Sequence, residues 1–450
     1  MRSLPLSLLQ RGWPWRGLRR RGDGRPGFGA TLAVSLAVVA VFASFAPTIA
    51  YSATVTISCG AVGRELQLCR EGAEAWAARA GHDVRVVAGP NAANERLALY
   101  QQLFAARSSD IDVFQIDVIW PGALADHLAD LRAHVPDWEA NAHIPALLEN
   151  NMVDGRLVAL PWFADVGVLY YRVDLLAKHG ANPPATWQEL TELSRRIQAA
   201  ERALGDERMW GFVFQGKAYE GLTCNALEWI ASSGGGTIVD DAGTITIGNP
   251  RAVAAIALAA QWVGDVAPRG VLNYGEEEAR GVFQSGHAVF MRNWPYAWAL
   301  VNAPDSPVAG KVAVAPLPVG EPSRRPTGVL GGSQLAVSRY SRNAAIAADL
   351  VRYLAGAGEQ RRRAIVGAFH PTILHLYDDD EVRRANPFFA ALRPILEHAT
   401  TRPSRNLGAS YNRVSSAFWT AVHETLARRG DAADNVSALD NRLRRMLRRR

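Results

Sequence analysis

Three cysteines in 450 residues, Cys59, Cys69 and Cys224, are too few for a disulfide framework. At most one pair can close, and Cys59 with Cys69 is the only local candidate; the alternative is three small buried hydrophobes. Excess charge is missing as well. The formal net charge is +6, and the seven arginines and one aspartate of residues 1–52 account for all of it. The remainder is neutral, so net charge lends no support to nucleic-acid binding, and the basic tail 442–450 reads as a solvated helix end. There is no internal repeat, no low-complexity tract and no linker long enough to separate independent domains. No Gly-x-Ser-x-Gly elbow signals a nucleophilic serine. The ten histidines are scattered rather than spaced as metal ligands, and His370, in Phe369-His370-Pro371, reads as a packing or cleft residue.

What is present is an ordinary soluble composition, 48% hydrophobic and 20% charged, in a chain long enough for two or three domains. Residues 1–53 combine an Arg-rich start, an apolar run over 30–46 and small residues at Ala50, Ser52 and Ala53, which reads as an export signal cut near 50–53 rather than a retained anchor. Cys59 follows Thr56-Ile57-Ser58, which lacks the pattern of a lipid-attachment box.

From residue 54 the pattern alternates: strand 55–58, helix 66–80, strand 84–88, helix 94–106, strand 113–117. This βαβαβ order predicts a parallel sheet covered by helices, with ligands beyond the carboxyl ends of its strands. Asp117 falls at such an end, followed by Trp120 and Pro121. It can accept a hydroxyl there, or simply cap the helix from Gly122. Apolar runs at 158–162 and 166–171 then flank Phe163-Ala164-Asp165, which reads as a short connector. Thr186 and Glu189 form a capping box. A long helical and loop region follows to about residue 298, with further strands over 311–318 and 335–338 and helices at 344–355 and 414–428. A chain of this pattern crosses between two lobes several times.

The stretch 283–298 predicts a short helix, a turn at Ser285-Gly286, a short buried strand, and then Asn293-Trp294-Pro295-Tyr296 at a helix start. Flat aromatic faces beside backbone N–H groups suit the apolar face and hydroxyls of a pyranose. A core aromatic cluster is the alternative.

Asp117-Val118-Ile119-Trp120, the 160–165 stretch with Leu169-Tyr170-Tyr171-Arg172, 210–221, 292–298 with Asp305-Ser306-Pro307, and Val314-Ala315-Pro316-Leu317-Pro318 together resemble the trehalose/maltose-binding proteins. These are extracytoplasmic solute-binding proteins (family 1) of sugar ABC transporters. Asn293-Trp294-Pro295-Tyr296-Ala297-Trp298 and Tyr219-Glu220-Gly221-Leu222 are the more specific motifs. The resemblance implies an α/β fold of the periplasmic binding protein type II, two lobes with a three-segment hinge and a disaccharide in the cleft between them. It implies lobe 1 from 54–163 and 313–356, and lobe 2 from 164–312 and 357–450. By the same resemblance Asp117 accepts hydroxyls, Phe163 and Asp165 sit on the hinge side, Trp294 and Tyr296 stack on the sugar, Gly332 lines the hinge, and Arg402 clamps hydroxyls. Glu65 and Arg96 match family positions more loosely. The chain departs from the family at Phe163, where a Tyr is expected, and at Ser333, where a Trp is expected.

The function implied is a periplasmic, monomeric binding protein without cofactor, metal or nucleic acid, delivering a trehalose- or maltose-like disaccharide to membrane permease subunits. Two other classes compete. A glycosidase would use a pair among Asp117, Asp165 and Glu65, yet the sequence gives no reason for one carboxyl to be shielded and raised in pKa. A ligand-loaded sensor shares the fold, and neighbouring kinase or permease genes would separate the two.

Overall fold

The computed structural model describes residues 52–448, so all but the last two residues of the expected export signal lie outside it. The first strand, β1 (Thr54–Cys59), is buried along most of its length, as a strand covered on both faces must be. It is followed by α1 (Glu65–Ala80), β2 (Asp83–Ala88), α2 (Ala93–Ala105) and β3 (Val113–Asp117). Helix α1 stops where Gly81 takes a left-handed conformation, and its N–H bonds Ala77 O. Strands β2 and β3 both pair with β1 in parallel, as the alternating pattern predicts. Cys59, at the end of β1, is disulfide-bonded to Cys69 in α1, and Cys224 is free and buried.

A hairpin of β4 (Met152–Val153) and β5 (Arg156–Leu157) precedes β6 (Leu160–Val166) and β7 (Val168–Arg172). Phe163-Ala164-Asp165 is therefore not a connector: it lies inside β6, because the later strand β11 (Leu330–Val337) pairs along it, Ser333 opposite Phe163 and Gly331 opposite Asp165. The break comes at Gly167, and β6 and β7 enter different sheets. One sheet has the order β2-β1-β3-β11-β6, with β11 antiparallel to both neighbours.

The region 187–298, expected to be helix and loop up to its last strand, supplies two strands. It contains α3 (Trp187–Ala203), β8 (Trp210–Val213), α4 (Glu220–Ser232), α5 (Pro250–Trp262), α6 (Glu276–Gln284), β9 (Ala288–Asn293) and α7 (Ala297–Val301). With β10 (Val312–Ala315), the second sheet runs β10-β7-β9-β8. Thr186 caps α3 by accepting the Glu189 N–H at 3.1 Å, while Glu189 accepts from Ala185, one residue earlier than a capping box would have it. Behind this sheet Trp187, Phe212, Phe214, Trp229 and Trp262 pack edge-on or tilted, with centroids 5.3–6.5 Å apart. Each such burial contributes about 2–3 kcal/mol.

The remaining helices divide between the sheets. Helices α8 (Ala344–Ala355), α9 (Ala357–Gly367) and α10 (Phe389–Glu397) pack against α1 or β6, whereas α11 (Tyr411–Leu426) and α12 (Ala432–Leu447) pack against α4 and α5. Two expected boundaries move as a result. Residues 357–397 lie with the first sheet, because α9 packs on α1, where Arg362 bonds Glu71 and Leu68 O, and α10 packs on β6. Val312–Ala315 lies in the second, because β10 hydrogen-bonds to β7.

Three segments cross between the sheets side by side: Gly167, residues 316–329, and residues 398–403. Thr400 bonds to Gly328 and Leu330 through backbone groups at 2.9 Å. Gly328 packs so tightly on Gly167 that a Cβ would lie 2.7 Å from the Gly167 carbonyl oxygen. No helix among the described residues is long and apolar enough to cross a membrane.

Candidate functional site

The ends of β3, β6 and β11 on one side, and β9, α4 and α6 on the other, converge on a cleft of about 690 Å³ including its open mouth. Glu65, Arg96, Asp117, Phe163, Asp165, Trp294, Tyr296, Gly332 and Arg402 all line it. A cleft of this size and mixed lining is typical of small-molecule sites.

Asp117 closes β3, and its Oδ1 accepts both the Ile119 N–H at 3.2 Å and Arg402 Nη2 at 3.0 Å. Asp117 thus braces the turn at Ile119 while lining the cleft, and the helix after it, Pro121–Leu124, starts at Trp120 without a side-chain cap. Arg402 spans to the other side, its Nη1 donating to Glu220 Oε1 at 3.0 Å, and its side chain is 2% exposed. Burial opposes the charge of Arg402, but Asp117 and the groups about it hold its pKa well above the ordinary value. Burial raises the Glu220 carboxyl above its usual range despite Arg402 and the hydroxyl donors Tyr411 and Ser415.

Glu65 accepts from Gln115 at 2.5 Å, and Gln115 also reaches Ser333 Oγ at 2.9 Å. Ser333, where the resemblance leads us to expect a Trp, is thus part of a polar wall. Arg96 lies under the Trp120 ring at 5.7 Å, and its Nε and Nη1 have no partner in the protein. The same holds for Arg402 Nε and Asp165 Oδ1. Burial, then Glu65, pushes the Asp165 carboxyl well above the carboxylate range, while Arg292 and Arg363 pull it down. No shielded carboxyl was expected from the sequence, because the residues that shield it come from distant segments.

The aromatic walls differ in kind. Trp294 is half-buried, one face on the Arg292 guanidinium at 3.9 Å, its edge against Gly331, where a Cβ would sit 3.0 Å from Cζ3. Tyr296 precedes α7 and donates to Glu277 at 2.6 Å. Its ring packs against the Gly63 loop from the opposite side. Phe163 and Phe369 meet edge-on at 4.8 Å as a floor. Trp298 turns away, packing on Phe388 and donating to Ala385 O. Gly332 has φ 111°, and a Cβ there would lie 2.3 Å from Phe163 O, so only glycine brings β11 this close to β6.

Tyr219, Glu220, Glu276, Phe369 and Asn91 also line the cleft and were not among the residues expected there. For Tyr219 and Glu220 the signal was present, in the motif Tyr219-Glu220-Gly221. Five carboxyl groups, two of them raised by burial, and two guanidiniums stand in the lining. Among the described residues no group of His, Cys, Asp or Glu is placed to hold a metal ion.

The sequence pattern of the bacterial extracellular solute-binding proteins matches residues 68–361. A Deinococcus radiodurans relative described as a probable ABC transporter-binding protein is 50% identical over 398 residues, 88% of this chain and 94% of that one. Maltose-bound MalE3 of T. maritima superposes with a TM-score of 0.83 at 38% identity, covering 88% of this chain and all of the other. A solute-binding protein of Thermotoga lettingae bound with α-D-tagatose has a TM-score of 0.78 at 20% identity, covering 88% of this chain and all of that one, which speaks for the fold alone.

Proposed function

We propose that this chain, which belongs to the bacterial extracellular solute-binding protein family and has the two-lobed type II periplasmic binding protein fold of sugar ABC transporters, captures a maltose- or trehalose-like disaccharide and hands it on unchanged. The lobes are the two sheets with their helices: 54–166 with 330–397, and 168–315 with 404–448, joined at the three crossing segments. Asp117, Glu65, Arg96, Asp165 and Arg402 meet sugar hydroxyls, Trp294 and Tyr296 stack on ring faces, and Gly332 admits the ligand close to the hinge. Closure about the hinge presents the loaded form to the permease subunits. The protein acts as a monomer in the periplasm after loss of its signal segment, and binds no nucleic acid.

One observation carries the reading. Buried polar atoms without protein partners, Arg96 Nε and Nη1, Asp165 Oδ1 and Arg402 Nε, lie in the same cleft as aromatic faces. Leaving such atoms unmet costs about 1–3 kcal/mol each, and a polyhydroxylated ring supplies both the hydrogen bonds and the apolar face they call for. The 38%-identical relative was solved with maltose, which supports the choice of sugar.

Calorimetry against maltose, trehalose, monosaccharides, peptides, polyamines and anions tests this. Binding of an α-linked glucose disaccharide is expected, and binding of only the non-sugars would sink the reading. The raised pKa of Asp165 gives the glycosidase alternative its one foothold, since a protonated carboxyl is what a general acid needs. Release of free glucose during the titration would favour that alternative.

A further inference from the structure

Gln115 is the one polar side chain of β3 before its terminal Asp117, and it is 0% exposed. It stands behind the cleft wall rather than in it. A buried amide must have its carbonyl oxygen and its N–H groups met, and here all are used. Oε1 accepts the Gly60 N–H at 2.7 Å, while Nε2 donates to Glu65 Oε1 at 2.5 Å and to Ser333 Oγ at 2.9 Å. These partners fix which end of the amide is which. Turned over, it would set its NH₂ group against the Gly60 N–H and its carbonyl oxygen against the Glu65 carboxylate, a donor on a donor and an acceptor on an acceptor.

The oriented amide in turn orients the two cleft residues it holds. An amide nitrogen does not accept hydrogen bonds, so Ser333 Oγ is the acceptor from Gln115 and its own proton is left over, with no acceptor for it among the described residues. Ser333 lines the cleft, and that proton is free for a ligand. Glu65 gives one oxygen to Gln115 and keeps Oε2. A Cβ on Gly60 would lie 2.2 Å from Glu65 Oε2 and 2.5 Å from Arg96 Nη1, so glycine after β1 is what lets carboxylate and guanidinium lie side by side over the backbone. Arg96 Nη1 has no partner in the protein. The wall therefore offers a donor, an acceptor and a donor: Arg96 Nη1, Glu65 Oε2 and the Ser333 hydroxyl. Two adjacent sugar hydroxyls satisfy that set, each giving its proton to the carboxylate while one accepts from Arg96 and the other from Ser333.

We propose that Gln115 is a positioning residue that turns Ser333 into a hydrogen-bond donor and Glu65 into an acceptor toward the ligand, and that Ser333 thereby selects one hydroxyl of an adjacent pair on an uncharged sugar. The statement about the sugar rests on the disaccharide reading above; the statement about the amide does not. Gln115 touches no ligand and acts through the two residues it bonds. At Ser333 the sugar is held by a hydroxyl, where a Trp would have held it by a face.

Calorimetry with maltose and each of its mono-deoxy analogues tests Ser333. Ser333→Ala is expected to bind maltose about three- to tenfold more weakly, and to match the unsubstituted protein on the one analogue that lacks the hydroxyl Ser333 meets. Equal affinity for maltose overturns the role of Ser333, and so does an identical loss on every analogue, which is the mark of a purely structural effect. Gln115→Met tests the positioning: in that background the further change Ser333→Ala should alter maltose affinity by less than about twofold, because the hydroxyl is no longer aimed. An undiminished Ser333→Ala effect there overturns the positioning, and Gln115→Leu takes the place of the Met variant if that one does not fold. In the ligand-free protein, ¹⁵N-glutamine labelling reads the amide directly, the Gln115 resonance being the one lost in Gln115→Met. Its side-chain N–H pair should exchange slowly with solvent and shift in Ser333→Ala; an unmoved pair means that Nε2 does not face Ser333 and overturns the proposal. If the unsubstituted protein ignores maltose and every analogue, the sugar reading falls, and the resonance alone decides whether Gln115 orients Ser333.

Discussion

Each wall of the cleft rests on a buried arginine under an aromatic ring, and the two are wired differently. On the second sheet, Arg292 lies 3.9 Å from the Trp294 centroid and is engaged by Glu228 and Gln215, with arginine and glutamate both 0% exposed. On the first sheet, Arg363 lies 3.8 Å from the Trp162 centroid and is bonded to nothing, and the neighbouring His370 ring nitrogens are likewise unpartnered. A paired arginine is a structural cross-link, tying α4 to β9 and, through Val329 N–H to Glu228 at 3.2 Å, to the crossing segment. An unpaired one is held by ring stacking alone and ties no two elements together by hydrogen bonds. One motif, a guanidinium beneath a ring, is thus cross-linked by hydrogen bonds on one side and held by stacking alone on the other.

The sharpest way to break this contrast is to remove each cation in turn. Arg292→Met strands Glu228 uncompensated in the interior and should cost about 3–5 kcal/mol of stability. Arg363→Met strands no bonded partner and should cost much less, about 1–2 kcal/mol for the lost stacking. Urea unfolding of both variants measures the difference, and equal losses would erase the distinction.

The next effect is on ligand affinity. Trp294→Ala removes a stacking face and should weaken maltose binding by roughly thirty- to a hundredfold, about 2–3 kcal/mol. Asp117→Ala should cost as much or more, because it leaves hydroxyls and part of Arg402 without an acceptor. Isothermal titration at fixed pH compares the two. A steep fall in melting temperature with unchanged affinity in Trp294→Ala would return Trp294 to the core.

Acid sensitivity should come from the first-sheet side. His370 has its pKa lowered by burial from 6.5 to about 3. As pH drops below 6.5 the unfolded chain takes up the proton first, so stability is lost toward pH 3 at up to about 1.4 kcal/mol per pH unit. His143, lowered mainly by burial to about 4, adds to the same window. Stability measured against pH should therefore be flatter in His370→Phe than in the unsubstituted protein, and an unchanged slope would show that His370 is not the sensitive group.

The smallest effect is expected at Trp298, third aromatic of its run. Because it packs on Phe388 rather than facing the cleft, Trp298→Ala should leave affinity for maltose within about twofold. A larger loss would mean that the second-sheet wall extends beyond Trp294 and Tyr296.

The sequence by itself determined the local elements and the chemistry of the cleft. Alternation placed β1 to β3 and their helices nearly to the residue, because period-2 and period-3.6 patterns record which faces are buried. Proline and aromatics beside β9 marked one wall of the cleft, since side-chain type and turn chemistry are local. The nine residues named beforehand, eight side chains and Gly332, line one cleft. Only the tertiary structure decided which partners those residues meet. Phe163 and Asp165 entered a strand because β11, more than 160 residues later, pairs with them; β8 and β10 found their sheet through β9 and β7; and 357–397 settled on the first sheet rather than the second. The pairing of Arg292, the isolation of Arg363 and the shielding of Asp165 follow from contacts between segments far apart in the chain. Burial and field are sums over neighbours, and a linear sequence does not say who the neighbours are.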